Sequence, residues 1–221
     1  MSAVFVLGAS RGIGLEYVRQ YREAGAKVLA TARKDEDLAR LRELGATALK
    51  LDVGDAASVS GLAWQVDGWA FDVVVINAGV NSRSNGLEPP TEADFDWVMR
   101  TNVLGPMRVI PQLADALAPS ARLAVISSRM GSIGARTAPN DWLYRASKAA
   151  VNSVLKDVSL ALEGRAVCVS FHPGWVRTDM GGSGADIDVK TSVAGMRSVL
   201  ASLKPEHNGG YFNYDGQKLP W

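Results

Sequence analysis

A glycine-rich turn between a short apolar run and a helical segment limits this chain more than any other feature. Ala3-Val4-Phe5-Val6-Leu7 leads directly into Gly8-Ala9-Ser10-Arg11-Gly12-Ile13-Gly14, after which the pattern takes on helical period. A buried strand that turns through glycines into a helix is the opening unit of a βαβ fold. Residues without Cβ allow both the tight turn and a close approach of the backbone to another group. The N–H groups at the start of such a helix have no partners within it, so they suit a pyrophosphate. A tight βα loop without a ligand has the same pattern, and the downstream sequence has to decide between the two.

That sequence repeats the alternation. Runs rich in Val and Ile predict strands at 3–7, 27–32, 47–51, 71–77, 122–127, 166–172 and 210–214. Helical period predicts helices at 12–24, 35–44, 55–65, 143–163 and 189–203, with a longer stretch at 91–117 interrupted near Gly105-Pro106. Glu36 and Arg40 form an i,i+4 pair that supports the second helix. Strands this apolar are buried on both faces, and right-handed crossovers place helices on each side of the sheet. The expectation is an α/β chain: a single-domain Rossmann fold over 1–221, a doubly wound parallel sheet of about seven strands. Its 221 residues suit one core. The glycine-rich stretch 181–188 reads as a mobile loop of the kind that closes over substrate.

Composition then removes several function classes. The 24 Lys+Arg and 23 Asp+Glu leave a net charge of +1 with no basic run, so nucleic acid is not an expected partner. No apolar stretch approaches the roughly 20 residues that cross a bilayer, and the N-terminal run has no basic leader, so no membrane partner and a cytoplasmic location are expected. A lone Cys168 with His172 and His207 makes neither an internal disulfide nor a metal site of familiar spacing.

The candidate site residues cluster at strand C-termini, where open α/β sheets bind ligands. Asp52 stands at the end of the third strand with Val53 beyond it, and Asn77-Ala78-Gly79 follows the fourth. The second strand ends Thr31-Ala32-Arg33 with no acid before Asp35. An NAD enzyme would place there a carboxylate for the ribose hydroxyls. Arg33 and Arg11 are suited instead to a 2′-phosphate, which a guanidinium grips by two parallel hydrogen bonds, so NADP(H) is favoured over NAD(H). Tyr144 and Lys148 stand four apart and share a helix face. A phenol of pKa near 10 is a weak acid or base at neutral pH, and a neighbouring cation favours its phenolate.

The spacing G-x-x-x-G-x-G, the N-A-G at 77–79, Tyr144-x-x-x-Lys148 and Pro173-Gly174-x-Val176-x-Thr178 occur in the order of the classical short-chain dehydrogenase/reductase family, which the whole chain resembles. Within it, Ser127-Ser128-Arg129-Met130-Gly131-Ser132-Ile133 and the tail Asn213–Trp221 look like the C-factor group, relatives of sniffer-type carbonyl reductases. The resemblance implies that Gly8, Ser10, Arg11, Gly12, Ile13 and Gly14 hold the pyrophosphate and Asp52 and Val53 the adenine. It places Asn77, Ala78, Gly79, Pro173, Gly174, Val176 and Thr178 along the rest of the dinucleotide, and Lys148 on the nicotinamide ribose. It assigns Tyr144 as proton donor, Ser128 as the holder of the substrate oxygen and Asn102 as the holder of a relay water.

The family's serine stands thirteen residues before its tyrosine, whereas Ser128 stands sixteen before Tyr144. Strict register falls on Gly131, which has no hydroxyl, and Ser132 is the alternative. The implied chemistry is hydride transfer between the nicotinamide and a small carbonyl or alcohol substrate. Asn81, Met130, Trp142, Trp175 and Met180 line a partly apolar pocket suited to a ketone, aldehyde or quinone, and His172 is structural. The C-factor likeness also allows a sensor or signalling protein that binds NADP(H) without turnover. Family pairing through the long central helices suggests a homodimer, against which Pro106 and Pro111 count.

Overall fold

The computed structural model describes every residue except Gly86. In chain order the elements are β1 (Ala3–Leu7), α1 (Gly12–Glu23), β2 (Lys27–Ala32), α2 (Asp35–Glu43), β3 (Thr47–Lys50), α3 (Ala56–Ser60), α4 (Leu62–Gln65) and β4 (Phe71–Ile76). There follow α5 (Glu92–Met99), a π-helical turn (Arg100–Leu104), α6 (Gly105–Leu113), β5 (Leu117–Ile126), α7 (Trp142–Ala161), β6 (Ala166–His172), α8 (Val189–Ser202) and β7 (Gly210–Asn213). Among the described residues, seven strands form one sheet in the order β3-β2-β1-β4-β5-β6-β7. Every neighbouring pair is parallel.

The period of two in β1 shows why the sheet is covered on both sides. Val4 and Val6 enter one core with Tyr17, Val18, Phe171 and Met196, while Phe5 and Leu7 enter the other with Val109, Leu113, Val151 and Leu155. Helices α1, α2 and α8 therefore lie on one face and α6 and α7 on the other. The chain winds outward from β1 to β3 and then returns to β4 on the other side of β1. The connections leaving β1 and β4 thus part in opposite directions and open a crevice above their C-terminal ends.

Several boundaries differ from expectation for physical reasons. The helix expected over 55–65 is divided at Gly61, a residue of poor helix propensity. The stretch expected at 91–117 does not break at Gly105-Pro106. It widens one turn earlier, at the π-helical residues, and Pro106 sits in the first turn of α6, where its missing N–H is tolerated. Leu117 is already strand, paired with Phe71. The register then shifts before Arg122 meets Val73, past a Ser120 held at φ 60°. Strand β3 stops at Lys50, so Asp52 lies in the turn beyond it, where Gly54 N–H donates to its carboxylate (2.9 Å). Arg40 approaches Asp37 (3.4 Å) rather than Glu36.

The stretch 181–188 is tied down rather than loose. Arg177 N–H donates to Ile187 O (2.9 Å), Ile187 N–H donates to Trp175 O (3.2 Å), and Ala185 is buried. Among the described residues, no helix is long and apolar enough to cross a membrane.

Candidate active site

The crevice is built first from backbone. Gly8 has φ +80°, and a Cβ on it would meet the Ala78 backbone at 2.8 Å. A Cβ on Gly14 would lie 2.2 Å from Gly8 O and 2.7 Å from Asn77 Nδ2. The ends of three strands are joined here: Gly8 N–H donates to Thr31 Oγ1 (2.9 Å), and Asn77 Nδ2 donates to Gly8 O (2.7 Å). Above them lies a cleft of about 470 Å³, a size typical of small-molecule sites. Its walls bring together Gly8, Ser10, Arg11, Gly12 and Ile13 from the turn, Arg33, Asp52 and Val53 from beyond β2 and β3, Asn77, Ala78 and Gly79, and Tyr144, Lys148, Pro173 and Thr178. Gly14 lies beneath the turn. Gly174 (φ +85°) and the buried Val176 shape the far wall from behind, where a Cβ on Gly174 would strike Ile187 and Tyr214.

Charge gathers at the end of the cleft beside β2 and β3. Arg11 pairs with Asp179 (2.6 Å) with both side chains largely exposed, and Arg33 stands 3.9 Å from Asp52. Exposed pairs of this kind contribute little, so both guanidiniums can change partners at small cost. Arg40 belongs to no motif in the sequence. From α2 it donates to Ser10 O (3.1 Å) and adds a third cation behind the turn. The contact spans 30 residues and follows from how α2 lies on the sheet, a placement that no local spacing reveals.

At the other end, Tyr144 and Lys148 project from one face of α7, with Lys148 Nζ 5.6 Å from the Tyr144 ring centre. Lys148 Nζ donates to Ile126 O (2.9 Å) and lies beside Gly79, where a Cβ would come within 3.2 Å of it. Burial pushes the Tyr144 phenol up to about 12, offset in part by the Ser128 hydrogen bond and reinforced by the Asp141 charge. Burial alone brings Lys148 down to about 8. The sequence suggested a lysine-favoured phenolate. In the folded chain desolvation is the largest influence, and by raising the phenol it favours the neutral form, the state required to donate a proton.

The two serine alternatives separate in space. Ser128 is buried next to Tyr144, and its Oγ also accepts from Met130 N–H (3.2 Å). Ser132 Oγ instead donates to Pro220 O (2.6 Å) and accepts from Ala135 N–H (3.0 Å), so it anchors the tail. Gly131 is where this loop crosses α7, since a Cβ there would lie 2.8 Å from the Lys148 backbone.

The Asn102 side chain is fully engaged. Its Oδ1 accepts from Val80 N–H (2.8 Å), and its Nδ2 donates to Val80 O (2.8 Å) and Ser147 Oγ (2.9 Å). Both amide hydrogens are thereby used. The residue four later is Pro106, which has no N–H to offer the Asn102 carbonyl as a regular α-helix would, and Asn102 itself lies in the π-helical turn. Of the pocket candidates, Met180 lines the cleft, and Trp175 is half exposed with Nε1 donating to Gly181 O (2.9 Å). Burial, aided by Arg129, holds His172 near 4, a neutral ring. Among the described residues no cluster of His, Cys, Asp or Glu could hold a metal ion.

The cleft fits a dinucleotide on its own geometry. Glycines clear the floor, cations gather at one end, and a tyrosine–lysine pair stands at the other. Comparison with known proteins agrees. The family model described as short chain dehydrogenase matches residues 2–188. The C-signal of Myxococcus xanthus is 41% identical over 153 residues, spanning 68% of this chain and 92% of its own. Two solved structures superpose along the whole chain. One is the carbonyl reductase Sniffer of D. melanogaster (TM-score 0.89, 30% identity, covering 100% of both chains). The other is the NADPH-bound carbonyl reductase from chicken fatty liver (TM-score 0.86, 31% identity, covering 100% of this chain and 99% of the other).

Proposed function

The chain belongs to the short-chain dehydrogenase family, and from that premise we propose that it is an NADP(H)-dependent carbonyl reductase acting on a ketone, aldehyde or quinone, or on the matching alcohol in reverse. The observation that carries the reading is that Tyr144 and Lys148 line one end of a cleft, with Ser128 hydrogen-bonded to Tyr144, while Arg11 and Arg33 line the other. The NADPH bound by the chicken carbonyl reductase supports the same choice of nucleotide.

When bound, the nicotinamide cofactor supplies the hydride that the carbonyl carbon accepts. The protein's part is to bind, orient and move a proton. Helix α1 directs its free N–H groups at the pyrophosphate. Arg11, freed from its exposed pair with Asp179, and Arg33 would hold the 2′-phosphate. Ser128 donates a hydrogen bond to the substrate oxygen, and Tyr144 gives that oxygen its proton, which completes the alcohol. The Lys148 ammonium stabilises the phenolate left behind, and Asn102 gives a relay water its anchor.

Titration of the purified protein with NADPH and NADH, followed by a carbonyl panel read at the cofactor's absorbance, tests this. The expected result is a preference for NADPH that Arg33→Ala reduces by about tenfold or more, the worth of a charged hydrogen bond, together with turnover of uncharged carbonyls. The likeness to C-signal keeps a second reading in view: tight NADPH binding with no turnover anywhere in the panel would make the protein a nucleotide-dependent sensor. Binding of neither nucleotide would overturn both.

A further inference from the structure

Behind Ser128 lies a group of polar side chains to which the proposed chemistry gives no role. The parallel register pairs Ser170 with Tyr211 and His172 with Asn213, so these four side chains share the sheet face that packs on α7. Asn152 meets them from α7, one turn beyond Lys148. The Tyr211 side chain is almost fully buried, and its hydroxyl donates to the Ser128 carbonyl in a short contact. The Asn152 amide lies beside the same hydroxyl, yet neither of its polar atoms reaches hydrogen-bond geometry with a described residue, so the Ser128 carbonyl is the partner. Burial pushes the Tyr211 phenol up to about 12, against the pull of Asn152 and Ser127, so it is a donor at any working pH.

Ser128 needs such a tie. It follows the last residues of β5, and its own N–H and carbonyl fall outside the paired register, which ends at Ile126 with Phe171. The loop beyond it has to leave the sheet, cross α7 at Gly131 and return at Trp142. The Tyr211 ring is itself held by stacking on Trp221 (5.2 Å between centres, 20° between planes). The backbone of Tyr211 is pinned by Leu219 N–H donating to its carbonyl (2.8 Å). The Ser128 carbonyl also accepts from Gly131 N–H (2.7 Å) within its own turn, so the Tyr211 hydroxyl, 83 residues further on, is what ties that turn across the fold.

We propose that Tyr211 is a positioning residue that sets the main chain of Ser128, and through it the hydroxyl that meets substrate. The proposal rests on the reading of Ser128 given above. Removing the hydroxyl leaves the Ser128 carbonyl held only by Gly131 N–H, so the turn Ser128–Gly131 can shift as a unit and carry the Ser128 Oγ out of the direction of Tyr144, while the cofactor cleft is untouched.

The test uses Tyr211→Phe, which keeps the stacked ring, with Ser128→Ala and the double variant. Tyr211→Phe is expected to lower kcat about three- to tenfold, the worth of one hydrogen bond, with NADPH affinity unchanged. In the double variant kcat should be no lower than in Ser128→Ala alone, because the two changes remove one and the same contribution. A merely structural loss would multiply with that of Ser128→Ala. Amide hydrogen exchange over 127–135 should be faster in Tyr211→Phe at equal global stability, a readout that needs no turnover. Trp221→Ala, which removes the stacked ring and keeps the hydroxyl, is the second variant, and it should act in the same direction by a smaller factor. Unchanged exchange in both variants, or losses that multiply, would overturn the proposal. If the wild type reduces carbonyls and Ser128→Ala slows it, the reading of the site stands whatever Tyr211→Phe does.

Discussion

The two ends of the cleft are made by opposite means. At the nucleotide end the functional atoms are backbone, and the side chains that matter most are the absent ones: Gly8 and Gly14 leave room that Ala78, Asn77 and Gly8 O have already taken up to van der Waals contact. At the reacting end the functional atoms belong to side chains, and each is placed by contacts from remote segments. Lys148 reaches Ile126 O, Asn102 reaches Val80 and Ser147, and Ser128 is tied to Tyr211. Binding and architecture are therefore inseparable at one end, whereas chemistry and architecture can be separated at the other.

Three measurements would sharpen or break that contrast. The largest effect is expected from Tyr144→Phe, which removes only the proton donor. Its kcat should fall by about 10²–10⁴, with NADPH affinity and thermal stability close to wild type; retention of most of the activity would mean that the proton comes from elsewhere. Next comes Gly14→Ala. Its methyl would have to displace Gly8 O and Asn77, so the variant should lose about 1–3 kcal/mol of stability, the ordinary cost of overpacking, and bind NADPH more weakly at the same time. A stable Gly14→Ala protein with weakened binding would show that the two roles separate there after all.

The smallest effect is pH dependence. Lys148 is charged below about 8 and neutral above it, and its charge favours the phenolate that Tyr144 becomes after donating. The kcat for carbonyl reduction should therefore be level at pH 6–7 and decline as pH rises through about 8, while alcohol oxidation, which needs Tyr144 deprotonated beside a charged Lys148, should rise towards pH 8 and level off above it. A reduction profile that rises across pH 8 would assign the limb to another group.

The fold was legible because its signals are local. Strand runs bounded by glycines and helices of period 3.6 placed β1, β2 and β6 to the residue, since burial on both faces leaves no freedom in where an apolar run ends. The errors came where backbone and side chain disagree. Gly61 divides a helix whose apolar period continues through it, and the π-helical turn at Arg100–Leu104 absorbs a break expected at Pro106. The glycine-rich stretch 181–188 is pinned by main-chain hydrogen bonds to Trp175 and Arg177, which composition does not encode.

By itself the sequence determined the architecture, the position of the dinucleotide turn and the pairing of Tyr144 with Lys148. Each depends on residues within a turn or two of one another. Tertiary structure separated Ser128, which lies against Tyr144, from Ser132, which anchors the tail, because the spacing to Tyr144 is that of a looped chain whose path depends on what it crosses. It also engaged the Asn102 amide with Val80 and Ser147, brought Arg40 behind the turn, and raised the Tyr144 phenol by burial. Those outcomes turn on desolvation and on contacts between residues tens of positions apart, and both exist only once the two faces of the sheet have closed.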